Sequence, residues 1–248
     1  MAEEHLWQQI IRRGWVEAAD GRRLPLHSAT SEAQCCFIQE QMRAVQAVKN
    51  LEIGLAYGLS AMAICQQLKG VAGARHIAID PWQRTECWHG AGLENLRRAG
   101  VLDFVDFYEI SAELCLPQLA GQDNRIDFAY IDAGKRLDDT IIYSAYVMRM
   151  LRTGGRVVFD DAQFPGIRTA LRYIVQDVRF RVVGCMTPDG VSRTRRFAES
   201  VLRYLPFCDR IISKEILRSD RELGVAGNCV VVEKVSEDEP DWKWHPRH

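Results

Sequence analysis

Residues 51–60, LEIGLAYGLS, decide the fold of this chain. An apolar, strand-like run ends at Gly54, and Gly58 follows four residues later, just before an apolar helical run that begins near Ser60. Glycines between a strand and a helix let the backbone approach a ligand closely and leave the helix N-terminus open towards it. The spacing differs from the G-x-G-x-x-G pattern of dinucleotide sites. The stretch therefore predicts a βα unit at a ligand site, and Glu52 before the first glycine favours a positively charged ligand group over a phosphate.

Outward from this stretch, short apolar runs alternate with helical patterns along the chain. Such alternation is typical of a layered α/β domain with a mostly parallel sheet. Ser31 and Gln34 form a capping-box pattern, which predicts the start of a helix that runs to about residue 49. Strands are predicted near residues 48–53, 76–79, 104–110, 126–131, 156–159, 179–184 and 228–235, with helices near 31–49, 60–69, 93–99, 112–120, 138–151 and 166–176.

The chain divides into a main domain and shorter segments. The domain is predicted to span residues 31–235, after an N-terminal segment at 1–30. A helical insertion is predicted at about 186–224, between the last two strands. The charged and aromatic stretch at 236–248 is predicted to be a loosely ordered tail.

Composition excludes several classes of protein. Apolar residues make up 47% of the 248 residues and charged residues 26%, which is typical of a soluble globular domain. The net charge of -1 gives no electrostatic footprint for nucleic acid or an anionic membrane surface. No apolar run approaches the roughly 20 residues that span a bilayer, and the acidic N-terminus is unlike a signal peptide. The eight cysteines form no C-x-x-C pair, so we expect reduced thiols in a cytoplasmic protein, with disulfides or a zinc site as less favoured alternatives.

Acidic residues follow three of the predicted strands, and ligands of open α/β sheets bind at the carboxyl ends of strands. Asp80 lies 22 residues beyond Gly58, where its two oxygens can accept both hydroxyls of a ribose. Asp132, Asp160 and Asp161 would repel one another if they converge. A divalent cation that prefers oxygen ligands, such as Mg²⁺, Mn²⁺ or Ca²⁺, would remove this conflict. The alternative is that Asp160 and Asp161 only cap the turn into the next helix.

These motifs resemble the class I S-adenosylmethionine-dependent methyltransferases. More narrowly, they resemble the metal-dependent catechol and caffeoyl-CoA O-methyltransferases and the macrocin O-methyltransferase-like bacterial group. The similarity covers residues 30–185 and the final strand, and its most specific parts are DFAYIDAGK at 127–135 and LRTGGRVVFDD at 151–161. The resemblance implies a Rossmann-like α/β fold with a seven-stranded, mostly parallel sheet, helices on both faces and an antiparallel last strand.

The resemblance also implies roles for individual residues. Lys135 matches the position of the family's proton-accepting lysine, and it forms with Asp132 the candidate catalytic pair. Asp161 stands where the catechol enzymes often have Asn, and the bacterial group often has His at position 135. By this resemblance the methionine part of the cofactor would contact Glu52, Gly54, Tyr57, Gly58, Ser60 and Asp132. The ribose would contact Asp80, and the adenine would contact Ser111, Ala112 and Glu113. The metal would be bound by Asp132, Asp160 and Asp161. Trp82, on the loop after Asp80, is a candidate roof over the cofactor or the acceptor.

The predicted activity is transfer of a methyl group from S-adenosylmethionine to the hydroxyl of a small molecule, assisted by a divalent metal such as Mg²⁺. Two alternatives stay open: a metal-independent N- or C-methyltransferase, and a cofactor-binding relative without activity. A nicotinamide dehydrogenase is disfavoured by the glycine spacing. The expected partners are a small-molecule acceptor and a second copy of the chain, without nucleic acid or membrane.

Overall fold

The computed structural model of the chain describes residues 4–122, 124–186 and 218–239. Its strands are β1 (Trp15–Glu17), β2 (Arg23–Pro25), β3 (Lys49–Ile53), β4 (Arg75–Ile79), β5 (Val105–Tyr108), β6 (Ile126–Ile131), β7 (Leu151–Phe159), β8 (Phe180–Met186) and β9 (Cys229–Lys234). Its α-helices are α1 (Leu6–Arg13), α2 (Glu32–Val45), α3 (Leu59–Gln67), α4 (Ala91–Arg98), α5 (Ala112–Gly121), α6 (Leu137–Met150) and α7 (Pro165–Ile174).

One seven-stranded sheet organises the molecule, with the strand order β5-β4-β3-β6-β7-β9-β8. The five strands from β5 to β7 are parallel, whereas β9 pairs antiparallel with both β7 and β8. The predicted α/β fold, with a mostly parallel sheet and an antiparallel last strand, is therefore confirmed. From β3 the chain builds outward to β4 and β5, and then returns to place β6 on the other side of β3. This reversal creates a crevice at the carboxyl ends of β3 and β6, where ligands of such sheets bind.

Helices cover both faces of the sheet because its strands alternate their apolar side chains between the two sides. On one face, α5, α6 and α7 pack on residues such as Ile53, Ile131 and Val157. On the other face, α2 and α3 pack on Phe128 and Val158. The sheet therefore has a core on each side, which holds the strand ends of the crevice in place.

The N-terminal segment is more structured than its polar sequence indicated. After α1 it forms a two-stranded antiparallel hairpin of β1 and β2. Trp7, Ile10 and Val16 are buried in one apolar cluster with Leu55 and Ala61 from the glycine-rich turn and α3. A sequence reading missed the hairpin because its two three-residue strands are too short for a period-two pattern.

The main difference within the domain concerns β7, which begins at Leu151 rather than near residue 156. Leu151 pairs with Ile126 of β6, and the strand continues through Gly154 and Gly155, which lie between the predicted helix and the predicted strand. Tertiary pairing overrides the local preference of glycine here. The predicted insertion helices lie outside the described residues. Within the described parts of the chain, no helix is both long and apolar enough to cross a membrane.

Candidate functional site

A small pocket of about 10 Å³, called the cleft below, opens at the carboxyl ends of β3 and β6, beside the glycine-rich turn. Gly54, Ser60 and Asp132 line it, together with Tyr57 and the chain between β2 and α2 at residues 28–30. Ser60 is the second residue of α3, so the free N–H groups of a helix start face this side. The cleft thus combines the positive end of a helix with a carboxylate, which is suitable for a ligand that carries both charges.

Two glycines allow the turn to take its shape. Gly54 has a φ of 96°, and a Cβ there would lie 2.4 Å from the carbonyl oxygen of Asp132. Gly58 has a φ of 74°, and a Cβ there would lie 2.9 Å from the carbonyl oxygen of Gly92. Side chains rarely adopt this left-handed conformation, and real Cβ atoms do not approach an oxygen so closely. Both glycines therefore let the turn pack against neighbouring backbone, next to the cleft.

Asp80 fixes the glycine-rich turn to the end of β4. Its Oδ2 accepts the N–H groups of Leu55 and Ala56 at 3.1 and 2.8 Å, and its Oδ1 accepts the N–H of Trp82 at 2.8 Å. Only 3% of Asp80 is exposed. Asp80 was predicted to accept hydrogen bonds from two ribose hydroxyls. Its Oδ2 already accepts two backbone N–H groups, so both lone pairs of this oxygen are in use. The oxygen with spare acceptor capacity is Oδ1.

Three carboxylates converge at the ends of β6 and β7. One oxygen each of Asp132, Asp160 and Asp161 lies within 4.8 Å of the others. Lys135 Nζ bridges two of them, at 2.6 Å from Asp132 and 2.7 Å from Asp161. Asp161 itself has a φ of 55°, a left-handed conformation that Asp tolerates better than most residues. The three acidic residues that the sequence placed at strand ends therefore form one cluster, with one lysine among them.

Asp160 is held by neutral donors instead of by the lysine. Its oxygens accept Gln34 Nε2 at 2.9 and 3.0 Å and the Tyr130 hydroxyl at 2.9 Å. The Cys229 thiol donates to it at 3.0 Å and Asn228 Nδ2 at 3.3 Å. Only 5% of Asp160 is exposed. Its charge is thus stabilised by four side chains from three different parts of the chain.

Burial and charge shift the pKa values of the groups in this cluster. Burial, together with the neighbouring carboxylates, raises the pKa of Asp132 although Lys135 opposes the shift. Burial lowers the pKa of Lys135, but attraction to Asp132 and Asp161 outweighs it and the net pKa lies above the ordinary value. Burial and the nearby carboxylates also raise the pKa of Tyr130 well above its usual range. Lys135 is therefore charged in this arrangement, and Tyr130 remains a hydrogen-bond donor.

Glu52 is not among the residues that line the cleft, and its contact with the methionine part of the cofactor stays a prediction. The residue is fully buried, and its Oε2 lies 3.3 Å from Nε2 of the equally buried His76. Its position in β3 turns the side chain towards α2 and α3, where its charge raises the pKa values of Cys35 and Cys65 in addition to their burial. Glu52 is thus part of the core beneath the turn.

The remaining predicted cofactor residues surround the carboxyl ends of β4 and β5. Trp82 is 57% exposed on the loop after Asp80. Ser111 is the N-cap of α5, Ala112 is buried and Glu113 is exposed in the first turn of that helix. Tyr57 is buried, and its hydroxyl donates to the carbonyl oxygen of Pro25 at 3.2 Å. These residues stay predicted cofactor contacts.

Sequence reasoning missed several residues of the site. Tyr130 could have been found, because it precedes Asp132 by two residues in a strand and so shares its face. Gln34 was recognised only as a helix cap. Asn228 and Cys229 reach Asp160 through the pairing of β9 with β7, for which no local sequence signal exists.

Comparisons with known proteins find relatives among the methyltransferases. A methyltransferase domain model matches residues 51–162, which run from the glycine-rich turn to the acidic cluster. Caffeoyl-CoA O-methyltransferase from Eucalyptus gunnii is 26% identical over 196 residues, which cover 69% of this chain and 75% of the relative. Catechol O-methyltransferase from Mycobacterium tuberculosis is 31% identical over 146 residues, which cover 59% of this chain and 62% of the relative.

Solved structures share the fold. An O-methyltransferase from Bacillus cereus in complex with SAH superposes with a TM-score of 0.65 at 18% identity, covering 95% of this chain and 93% of that chain. An O-methyltransferase of tomaymycin synthesis from Streptomyces achromogenes, in complex with SAM, gives a TM-score of 0.53 at 21% identity, covering 84% and 82%. The matched domain and these relatives support an S-adenosylmethionine-dependent methyltransferase that is similar to the caffeoyl-CoA and catechol O-methyltransferases.

Proposed function

We propose that the protein transfers a methyl group from S-adenosylmethionine to a hydroxyl of a small molecule, with the assistance of a divalent metal ion, Mg²⁺ above all. The observation that carries this proposal is the cluster of Asp132, Asp160 and Asp161 beside a cleft at the switch point of the sheet. The names of the caffeoyl-CoA and catechol relatives support a small hydroxylated acceptor.

The chemistry of the cluster fits a divalent cation. When all three carboxyl groups are ionised they carry three negative charges against the one positive charge of Lys135, which leaves an excess of two; this excess and burial raise the pKa of Asp132. Carboxylate oxygens are the ligands that Mg²⁺ and Mn²⁺ prefer. Asp132, Asp160 and Asp161 would hold the ion, which would lower the pKa of an acceptor hydroxyl. A divalent ion held beside Lys135 would lower the pKa of its ammonium group, and as the neutral amine Nζ would accept the proton that the acceptor releases.

The chemistry of the groups around the cleft matches the two charged groups of a methionine moiety. Asp132 offers a carboxylate to an ammonium group, while Ser60 and the start of α3 offer donors to a carboxylate. S-adenosylmethionine supplies a methyl group that is already activated on a sulfonium. The protein's task is then to align the acceptor, and alignment within about 3–3.5 Å of the methyl group can supply several kcal/mol. We place the ribose near Oδ1 of Asp80 and the adenine near residues 111–113.

The test removes the metal with a chelator and, separately, removes one proposed metal-binding carboxylate by substitution. With catechol and caffeoyl-CoA as acceptors, a chelator should abolish turnover, and added Mg²⁺ should restore it. The variant Asp160→Ala, with Asp160→Asn as a version of similar size, should lose more than about 100-fold in metal-dependent turnover, because the lost charge stabilisation is worth several kcal/mol. Calorimetric binding of S-adenosylhomocysteine should be nearly unchanged. Full turnover by either variant in chelator would contradict the metal role.

A second candidate function is metal-independent methylation of an N or C atom. One observation favours it: Lys135 already pairs with both Asp132 and Asp161, and neutral donors already stabilise Asp160. The cluster is therefore satisfied by the protein's own groups. Wild-type turnover that is insensitive to chelator would decide for this candidate.

We further propose a reducing, cytoplasmic setting and a homodimer. The setting is supported by the seven cysteines of the described residues, all of which are free and four of which are buried. Light scattering of the purified chain would measure the oligomeric state, and a monomer would contradict the dimer.

A further inference from the structure

The capping-box residue Gln34 connects the start of α2 to the acidic cluster. Its Oε1 accepts the backbone N–H of Ser31 at 2.9 Å and the Ser31 hydroxyl at 2.8 Å. Its Nε2 donates to both oxygens of Asp160, at 2.9 and 3.0 Å. Every polar atom of this amide is thus engaged, one end in the helix cap and the other at the cluster.

The hydrogen-bond partners of the Gln34 amide determine which end is the oxygen and which is the nitrogen. A backbone N–H can only donate, so the atom that faces Ser31 must be the carbonyl oxygen of Gln34. The NH₂ group is then turned towards Asp160, which as a carboxylate can only accept. The capping box therefore holds the donor in place for Asp160, independently of any ligand.

The contact also restrains the carboxylate itself. One NH₂ group that bonds both oxygens of Asp160 opposes rotation of the carboxylate about its Cβ–Cγ bond. Tyr130 and Cys229 contact the same carboxylate, one at each oxygen, from inside the core. Gln34 approaches from α2, the helix that directly follows the cleft-lining residues 28–30.

We propose that Gln34 is a positioning residue for methyl transfer: it orients the carboxylate of Asp160 for metal binding. This inference rests on the metal-assisted function proposed above. Partners that orient a metal ligand typically change metal affinity or activity by 10–100-fold when they are removed. Gln34 does not touch the cofactor or the acceptor in this scheme and acts only through Asp160.

The test compares two glutamines of the same chain. Gln8 occupies the equivalent capping-box position of α1, where its side chain accepts the His5 N–H and donates to the carboxylate of Glu32 at 2.9 Å. Gln34→Met and Gln8→Met therefore remove the same two kinds of contact, at the cluster and away from it. Gln34→Asn, one methylene shorter, is the second variant should Gln34→Met fail to fold. Ser31→Ala weakens the cap of α2 but keeps the NH₂ group at Asp160.

Mn²⁺ alone is the probe, and its binding is followed by electron paramagnetic resonance. We expect Gln34→Met and Gln34→Asn to lose about 10–100-fold in Mn²⁺ affinity, and a comparable factor in kcat for the acceptor that the wild type methylates. Gln8→Met and Ser31→Ala should bind Mn²⁺ like the wild type, even where their melting temperatures fall. Wild-type Mn²⁺ affinity in the folded Gln34 variants would overturn this inference alone. A wild type that binds no Mn²⁺ would overturn the metal-assisted function and this inference with it.

Discussion

At the scale of single residues, the hydroxyl of Tyr130 is a small group with a large effect, because it is buried and donates to a charged acceptor. Its oxygen lies 2.9 Å from Asp160 Oδ2, and no part of Tyr130 is exposed. Hydrogen bonds to charged groups contribute about 1.5–3 kcal/mol. We expect Tyr130→Phe to lower the free energy of unfolding by about this amount, as measured by urea denaturation, and to weaken Mn²⁺ binding.

Tyr57→Phe is the comparison for that prediction. The Tyr57 hydroxyl is also in the interior, but it contacts no carboxylate: its partners are Nδ1 of His27 at 3.0 Å and the carbonyl oxygen of Pro25 at 3.2 Å. A neutral hydrogen bond contributes about 0.5–1.5 kcal/mol, so the smaller loss of stability is expected here. Mn²⁺ affinity should not change in this variant. Equal losses of stability and equal Mn²⁺ affinities in the two variants would argue that Asp160 does not depend on Tyr130.

At the scale of elements, Asp127 joins three parallel strands at their amino ends. Its Oδ2 accepts the N–H groups of Val48 and Lys49, both at 2.8 Å, and its Oδ1 accepts Arg152 Nε at 2.6 Å. Burial raises the pKa of Asp127, but these hydrogen bonds and the Arg152 charge outweigh burial, so the net pKa is lowered. A depressed carboxyl pKa stabilises the fold above the unfolded value, near about 4, and this contribution disappears as the pH falls through the folded value.

Asp127→Asn should therefore be costlier at neutral pH than in acid. We expect a loss of about 1–2 kcal/mol at neutral pH, since Arg152 is partly exposed, and a smaller difference from the wild type at about pH 3, where the wild type has begun to lose this contribution. Urea denaturation at both pH values measures this. Asp20→Asn, which removes the charge of a surface pair with Arg22, should change little at either pH. A penalty of Asp127→Asn that is the same at both pH values would refute the role of its charge.

Prediction from sequence worked best for elements with strong local signals. The capping box of Ser31 and Gln34 predicted the start of α2, and the structure contains both of its hydrogen bonds. The acidic strand ends predicted the cluster, because parallel strands bring their carboxyl ends to one edge. The burial of Glu52 beside His76 was not predictable, because it depends on the pairing of β3 with β4. The contact of Cys229 with Asp160 required the long-range pairing of β9 with β7.

At the scale of the whole molecule, the N-terminal segment, which was predicted as separate from the domain at residues 31–235, packs against that domain. Ile10 is fully buried in the cluster that contains Leu55 and Ala61. Replacement of a buried Ile by Ala costs about 2–5 kcal/mol through lost burial and a cavity. We expect Ile10→Ala to destabilise the entire domain by about this amount in one cooperative transition, with a parallel loss of S-adenosylhomocysteine binding on heating.

Ile141→Ala, at a side chain that is 43% exposed, should have a small effect. Unchanged unfolding of the domain in Ile10→Ala would mean that residues 1–30 fold apart from it, and that the wall of the cleft at residues 28–30 is not held by this packing.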